Sequence, residues 1–418
     1  MHILLNLYPW YLPRRNRELR THLDLMGLSS MYPEMRFSLA RNVPAAVLGN
    51  AAWLSHYTLG RAAIGRRLLR ESYVYHASTV LNWLPRKFIR KLQPDVLFGH
   101  EYLPFNISNS ELPVVFETGV LTEDILCHYR PFYTAEQASA HLSLNTRLKC
   151  RAISQATLVN IREPDGADRF RKQFPQMAHK VRTVPPFLDY ISALPRADVL
   201  AKHSGQQIIK LLFVGNDARR KGLPALVAAL RGLPAHTSAR LELTIISQFI
   251  DGEVDIAGLP ARIITGGKIT ASEVFSRTGA AIKQGPLTVQ EVLKHMAESH
   301  VFVMPTLADT FGFVFPEAMA MGCAVIGPDR NPQKWILGQG SAGALVDPHS
   351  PGELAAAIES LVHNEDLRTT LASAAWRRYQ DVFSAPVVAA QYRTLFQEAI
   401  ELHRQPGRVT TDREPAVQ

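Results

Sequence analysis

Asp309 and Glu317 stand eight positions apart, separated by Thr310, Phe311, Gly312, Phe313 and Val314 on their loop and followed by Ala318-Met319-Ala320. Two carboxylates so placed put negative charge and hydrogen-bond acceptors on one short loop. Earlier in the chain lies a basic cluster, Gly215-Asn216-Asp217-Ala218-Arg219-Arg220-Lys221-Gly222. A turn of this kind, opening a helix, can hold a diphosphate with backbone N–H groups, the helix end and a lysine together. The plainer alternatives are a buried strand–helix turn that happens to carry two acids, and a Lys-Gly pair of the sort common after strands.

Both clusters need a strand before them and a helix after them. Val301 to Met304 is an apolar run short enough for a buried strand, and Ala324 to Gly327 reads as the next strand. Between them Pro316 suits a first helical turn, Glu317 suits the positive helix end, and Gly322 suits its close. Ile208 to Val214, Leu241 to Ser247 and Ala344 to Val346 are further strands of this half. Thr270 with Glu273, Thr288 with Glu291 and Ser350 with Glu353 have capping-box spacing. In the first half, His2 to Leu7, Asp95 to Phe98, Val114 to Phe116, Thr157 to Ile161 and Val181 to Val184 alternate with helix-like segments. Such alternation predicts parallel α/β sheets, whose ligands bind at the carboxyl edge.

The acid pair resembles the signature of retaining glycosyltransferases of the family-four type (glycosyl transferases group 1). That signature has a Glu, Phe-Gly two residues on, and a second Glu starting an Ala-Met-Ala helix. The basic cluster is similar to the motif of the same family in which Lys-Gly follows a Gly-Arg. The resemblance implies an α/β fold with two Rossmann-like domains facing a central cleft, the GT-B architecture. It implies an acceptor domain over 1–190 with a basic helical insertion, and a nucleotide-sugar domain over 191–384. It also implies a final helix over 385–404 that packs back on the first domain; the short polar stretch that follows predicts a disordered tail over 405–418. A linker is expected from Pro185 to about Gln207.

By the same resemblance Lys221, Asp309 and Glu317 are the expected catalytic residues. Lys221 would stabilise the leaving diphosphate without a metal, Glu317 would bind ribose hydroxyls, and Asp309 would orient the sugar. Gly215, Asn216, Arg219, Arg220, Thr310, Phe311, Gly312, Phe313 and Val314 complete the expected donor site. Neither Lys221 nor Glu317 is expected to support the core. His100 matches a histidine often found after the preceding strand. Glu117 and Gly119 stand where a sugar-contacting histidine is usual, so all three are expected acceptor or sugar contacts.

The chain departs from the family pattern at several points. Asp309 replaces the longer Glu, and Asn216 stands in place of the arginine. Tyr11-Leu12-Pro13 replaces a Gly-Gly pair, and Arg330-Asn331-Pro332-Gln333-Lys334 replaces a Gly-Gly-x-x-Glu. The resemblance covers about 208–403 and is thin over 1–190.

At 418 residues and 46% apolar content the chain can bury two or three cores. Cys127, Cys150 and Cys323 show no paired spacing, which predicts a reducing, cytoplasmic setting. The net charge of +9 is uneven: residues 1–91 carry 14 Lys and Arg against 4 Asp and Glu. Over 43–73 the pattern is helical, with Arg66, Arg67 and Arg70 opposite an apolar face that includes Trp53 and Ile64. These arginines are the expected membrane surface, for attachment to an anionic inner leaflet.

The expected partners are a nucleotide-sugar donor and a glycan or lipid-linked acceptor, with no nucleic acid, no cofactor and no metal. Asp251, Glu253 and Asp255 are the one alternating acid cluster for a divalent ion, and they lie in a glycine-containing surface loop. The function expected is sugar transfer in cell-surface polysaccharide or glycolipid synthesis. The alternative is a non-catalytic protein of the same fold that binds a nucleotide sugar or a membrane.

Overall fold

The computed structural model describes residues 1–6, 27–40, 92–100, 112–118, 150, 152–215, 217–247, 259, 261–265, 282–284 and 287–405. Arg66, Arg67, Arg70, Gly119, Asn216, the Asp251–Asp255 cluster, the Thr270–Glu273 pair and residues 406–418 lie outside them. The described residues form two units, one drawn from 1–187 and 388–405, the other from 188–387.

The first unit holds a six-stranded parallel sheet in the order β2-β1-β3-β4-β5-β6. Its strands are β1 (His2–Asn6), β2 (Arg36–Ala40), β3 (Val96–His100), β4 (Val114–Thr118), β5 (Leu158–Ile161) and β6 (Val181–Arg182). β3, β4 and β5 are buried along their whole length. A parallel sheet covered on both faces needs continuous apolar runs, which is why these strands are legible as such. β2 was not expected. It is an edge strand, and its sequence Arg-Phe-Ser-Leu-Ala alternates. Helix α1 (Pro164–Gln173) follows β5, capped by the Glu163 carboxylate, which accepts from the Asp165 and Gly166 N–H groups.

The second unit holds a seven-stranded parallel sheet, β10-β9-β8-β7-β11-β12-β13. These are β7 (Ile209–Val214), β8 (Leu241–Ile246), β9 (Ala261–Thr265), β10 (Ile282–Gln284), β11 (Val301–Val303), β12 (Ala324–Pro328) and β13 (Ala344–Val346). The chain runs outward from β7 to β10, then returns to place β11 on the other flank of β7. Strand order therefore reverses between β7 and β11, a topological switch point of the kind at which open α/β sheets bind ligands.

The segment expected to be a linker contains helix α2 (Arg196–His203), because Val199 and His203 are buried in this unit. Helices α3 (Leu223–Arg231), α4 (Val289–Glu298) and α5 (Val314–Ala320) follow. α4 starts on a complete capping box, with Thr288 Oγ1 accepting from Glu291 N and the Glu291 carboxylate accepting from Thr288 N. In α6 (Pro351–His363) only half the box forms: Ser350 Oγ accepts from Glu353 N, while the Glu353 carboxylate accepts from Asp347 N. α7 (Glu365–Arg378) runs through a π turn to Ser384, whose extended backbone breaks the helix before α8 (Ala385–Arg404). From Val388 onward α8 is counted with the first unit.

Beneath the second sheet lies a buried cationic cluster. His203 Nε2 donates to Gly322 O at 2.9 Å, and His300 Nδ1 accepts from Lys210 N at 3.0 Å. Lys202 Nζ donates to Met296 O and Met321 O, and Arg368 donates to His203 O and Leu361 O. Burial, reinforced by the nearby cations, pushes His203 down to about 4 and His300 down to about 3. Both rings are therefore neutral in the folded protein at pH values where the unfolded chain binds protons. Stability is full above the ordinary histidine value of 6.5 and falls as pH drops toward 4. His203 alone contributes a slope of about 1 kcal/mol per pH unit in that window. Urea midpoints at pH 7.5, 6.0 and 4.8 should decline, and His203→Gln should flatten the decline. A midpoint constant over that range in the parent protein would rule the cluster out as the acid-sensitive element.

Candidate active site

β7 and β11 are hydrogen-bonded neighbours, Val301 pairing with Leu211 and Phe302 with Leu212. Their carboxyl ends thus open side by side at the switch point, and each carries one of the two polar clusters.

After β7 the chain turns through Gly215 to Gly222. Asp217 organises the turn: its carboxylate accepts from the Arg220 backbone N at 3.1 Å and from Arg220 Nε at 3.2 Å. Its carbonyl accepts from Lys221 N. Gly222 has φ +85°, and a Cβ there would sit 2.0 Å from Pro305 O. Only glycine permits that approach of the two loops. Gly215 is needed for a different reason. A Cβ on it would lie 2.7 Å from Lys221 Cγ, so its bare backbone seats the lysine stem.

After β11 the second loop is stitched to the first. Leu307 N donates to Arg220 O at 2.9 Å, and Arg220 Nη1 donates to Ala308 O at 2.6 Å. The Thr306 hydroxyl donates to Ala308 O at 3.1 Å, with Arg220 O at 3.3 Å as the other acceptor within reach of its one proton. The result is an ion pair between Lys221 Nζ and Asp309 Oδ2, with side chains only 7% and 5% exposed. Lys221 was not expected to support the core, but removing it would leave a buried carboxylate behind. That expectation is corrected here.

Past Asp309 the loop has local supports. Asp309 Oδ1 accepts from Thr310 N at 3.0 Å. Phe311 is fully buried, its ring against Phe313, Trp335 and Phe383, so its side chain serves the core. Phe311 O accepts from Gln333 Nε2 at 3.0 Å, and Leu307 O accepts from Arg330 Nη1 at 2.8 Å. The Arg330–Lys334 stretch, which breaks the family pattern, therefore braces the acid loop. Gly312 takes φ +90° to turn the chain into α5. Pro316 sits at the third position of α5, where its missing N–H costs nothing because first-turn N–H groups have no intrahelical acceptor.

Glu317 is 7% exposed, in the first turn of α5, and its Oε1 accepts from Tyr190 Oη at 2.6 Å. Tyr190 was missed. The only sequence signal was an aromatic closing the Pro185–Asp189 segment. The structure thus pairs Lys221 with Asp309 directly, ties Arg220 to the neighbouring Ala308, and sets Glu317 eight residues further along the same loop and helix. Arg219 is exposed, and Thr310 and Phe313 are half-buried.

In the first unit His100 and Glu117 lie opposite each other at the carboxyl ends of β3 and β4. Glu117 is wholly buried. Its Oε1 accepts from Arg162 Nη2 at 2.9 Å and Nε at 3.1 Å, and its Oε2 accepts from Asn160 Nδ2 at 2.8 Å and from Tyr392 Oη. His100 Nδ1 lies 3.1 Å from Glu117 Oε1. A carboxylate offers about four lone-pair sites, and here all are engaged within the unit. Burial alone would raise this carboxyl, but Arg162, His100 and Tyr392 together hold it well below the usual range. Arg162, Asn160 and Tyr392 were not anticipated, because nothing in their spacing marks convergence on one acid.

Comparison with known proteins follows the same division. Residues 208–364 match the sequence model of the family Glycosyl transferases group 1. This stretch is a group 1 glycosyl transferase domain. Phosphatidyl-myo-inositol mannosyltransferase of Mycolicibacterium smegmatis is 29% identical over 189 residues, 45% of this chain and 44% of that protein. D-inositol 3-phosphate glycosyltransferase of Nocardiopsis dassonvillei is 25% identical over 231 residues, 53% of this chain and 52% of that protein. The matches therefore span about half the length of these relatives. Sucrose-phosphate synthase from Thermosynechococcus elongatus superposes with a TM-score of 0.66 at 16% identity, covering 96% of this chain and 99% of that one. Anabaena HepE, solved with UDP and glucose, gives 0.57 at 14% identity, over 95% and 100%. These likenesses show the fold: the group 1 domain is one of two Rossmann-like domains, as in GT-B glycosyltransferases.

Proposed function

We propose that the chain is a nucleotide-sugar-dependent glycosyltransferase that retains anomeric configuration and needs no metal. The observation that carries this reading is the Lys221–Asp309 ion pair at the switch point between β7 and β11. It puts a cation for the leaving diphosphate beside an acid for the sugar, with Glu317 further along the same loop and helix for the ribose.

Breaking a sugar–phosphate bond builds negative charge on the diphosphate and positive charge on the ring. A fixed cation in a shielded site is worth most against that developing charge. When donor binds, its phosphate oxygens take over Lys221, and Asp309 is released to accept from sugar hydroxyls. Tyr190 Oη donates to Glu317 Oε1 and so helps to orient the carboxylate that accepts from a ribose hydroxyl. The acceptor is a glycan or lipid-linked alcohol, and both named relatives act on inositol-bearing compounds by their names.

The same ion pair also suits a second reading, a non-catalytic binder of a nucleotide sugar or a membrane in which the Lys221–Asp309 pair holds the two loops together and does no chemistry. Incubation with common UDP- and GDP-sugars separates the two. Release of nucleotide that speeds up with an added acceptor supports transfer, and tight binding with no release supports the binder. Neither release nor binding with any nucleotide sugar would end both transfer and nucleotide-sugar binding.

A further inference from the structure

A second cluster lies at the opposite edge of the same sheet. Glu359 and His363 are one turn apart near the end of α6, so they share a face. His236 faces them from the helical turn Ala235–Ser238, which leads into the start of β8. One ligand atom from each of the three lies within 4.8 Å of the others. The His236 and His363 rings stand 5.3 Å apart between centroids. Lys221 and Asp309 follow the carboxyl ends of their strands, whereas this cluster sits at the amino ends.

Thr237, fully buried, sits behind the cluster. Its hydroxyl donates to Glu359 Oε1 at 3.2 Å and lies 2.9 Å from His363 Nε2. With the Thr237 hydroxyl assigned as donor to the carboxylate, it accepts from the imidazole, and this assignment puts the His363 proton on Nε2. The lone pair is then on Nδ1, where Arg240 Nη1 makes only a long contact of 3.4 Å. Arg240 keeps its bonds to Gln206 O and Gln207 O if that contact is given up. An imidazole whose distal N–H is held by an outer partner is the usual state of a metal-bound histidine.

We propose that His236, Glu359 and His363 form a binding site for a divalent transition-metal ion, zinc being the species that fits. Two imidazoles and one carboxylate suit zinc and disfavour magnesium and calcium, which take oxygen ligands. Tetrahedral zinc holds its ligands roughly 3.4 Å apart, given bonds near 2.1 Å, so the side chains close in by about 1 Å and water fills the fourth position. The ion clasps the end of α6 to the segment entering β8, and so stabilises the folded state by mass action. It takes no part in sugar transfer, because it stands at the wrong edge of the sheet.

The test uses the full-length protein, stripped with a chelator and titrated with zinc chloride. Calorimetry should show one zinc per chain, and the unfolding temperature should rise with zinc but not with magnesium. His236→Ala, an exposed change that leaves the core intact, should weaken zinc binding at least about tenfold and remove the temperature rise. Thr237→Val should also weaken it about tenfold through the lost outer hydrogen bonds. Cobalt in place of zinc should give the visible absorption of a four-coordinate ion in the parent protein and not in His236→Ala. No temperature rise with zinc in excess would overturn the proposal. So would zinc binding that survives the His236→Ala, His363→Ala double substitution, since the ion would then sit on other histidines.

Discussion

Lys221→Met is expected to lower nucleotide-sugar turnover by about 100- to 1,000-fold, the usual cost of losing one group that stabilises developing charge. The same change strands the Asp309 carboxylate, 5% exposed, without its cation. Breaking a buried pair from one side costs about 3–5 kcal/mol, so loss of activity alone would not distinguish chemistry from unfolding. Adding Asp309→Asn removes the stranded charge. The double variant should regain most of the stability while remaining inactive. Turnover near the parent rate in Lys221→Met, or activity restored together with stability in the double variant, would reduce the pair to a structural element. Thermal unfolding and nucleotide release, measured on the same samples, decide the matter.

Glu117→Gln should cost about 3–5 kcal/mol of unfolding free energy at pH 7, because it leaves the Arg162 guanidinium buried without a counter-charge. Arg162 is 5% exposed and Glu117 0%, so water cannot replace the lost partner. Tyr392→Phe should cost about 2 kcal/mol, as for a hydrogen bond to a charged group. Tyr392 lies on α8, so the network ties this helix to β4 and β5 of the first unit. Since the carboxyl is held below its ordinary range, its contribution is fully present above that range and fades as pH falls through it. Urea denaturation of the two variants is the measurement. A loss under about 1 kcal/mol in Glu117→Gln would mean that Arg162 finds another partner, and the network would lose its place as an anchor of the unit.

By itself the sequence determined the elements whose physics is local. Continuous apolar runs marked β3, β4, β5, β7, β11 and β12, since strands buried on both faces must be apolar throughout. Thr288 and Glu291 marked the start of α4, since a capping box closes within four residues. Glycine marked the two tight loops, and Gly222 and Gly312 hold positive φ. β2 escaped because its sequence alternates instead of running apolar, and helix α2 escaped because one turn of apolar residues is too weak a period. Only the tertiary structure decided which polar groups meet. Lys221 and Asp309 are 88 residues apart, and Glu117 and Tyr392 are 275 apart. Their pairing depends on strand order and on the close passage of Gly222 against Pro305, neither of which leaves a periodic trace along the chain. The zinc-fitting cluster is of the same kind: Glu359 and His363 carry helical spacing, but His236 joins them only because the turn before β8 is folded against α6.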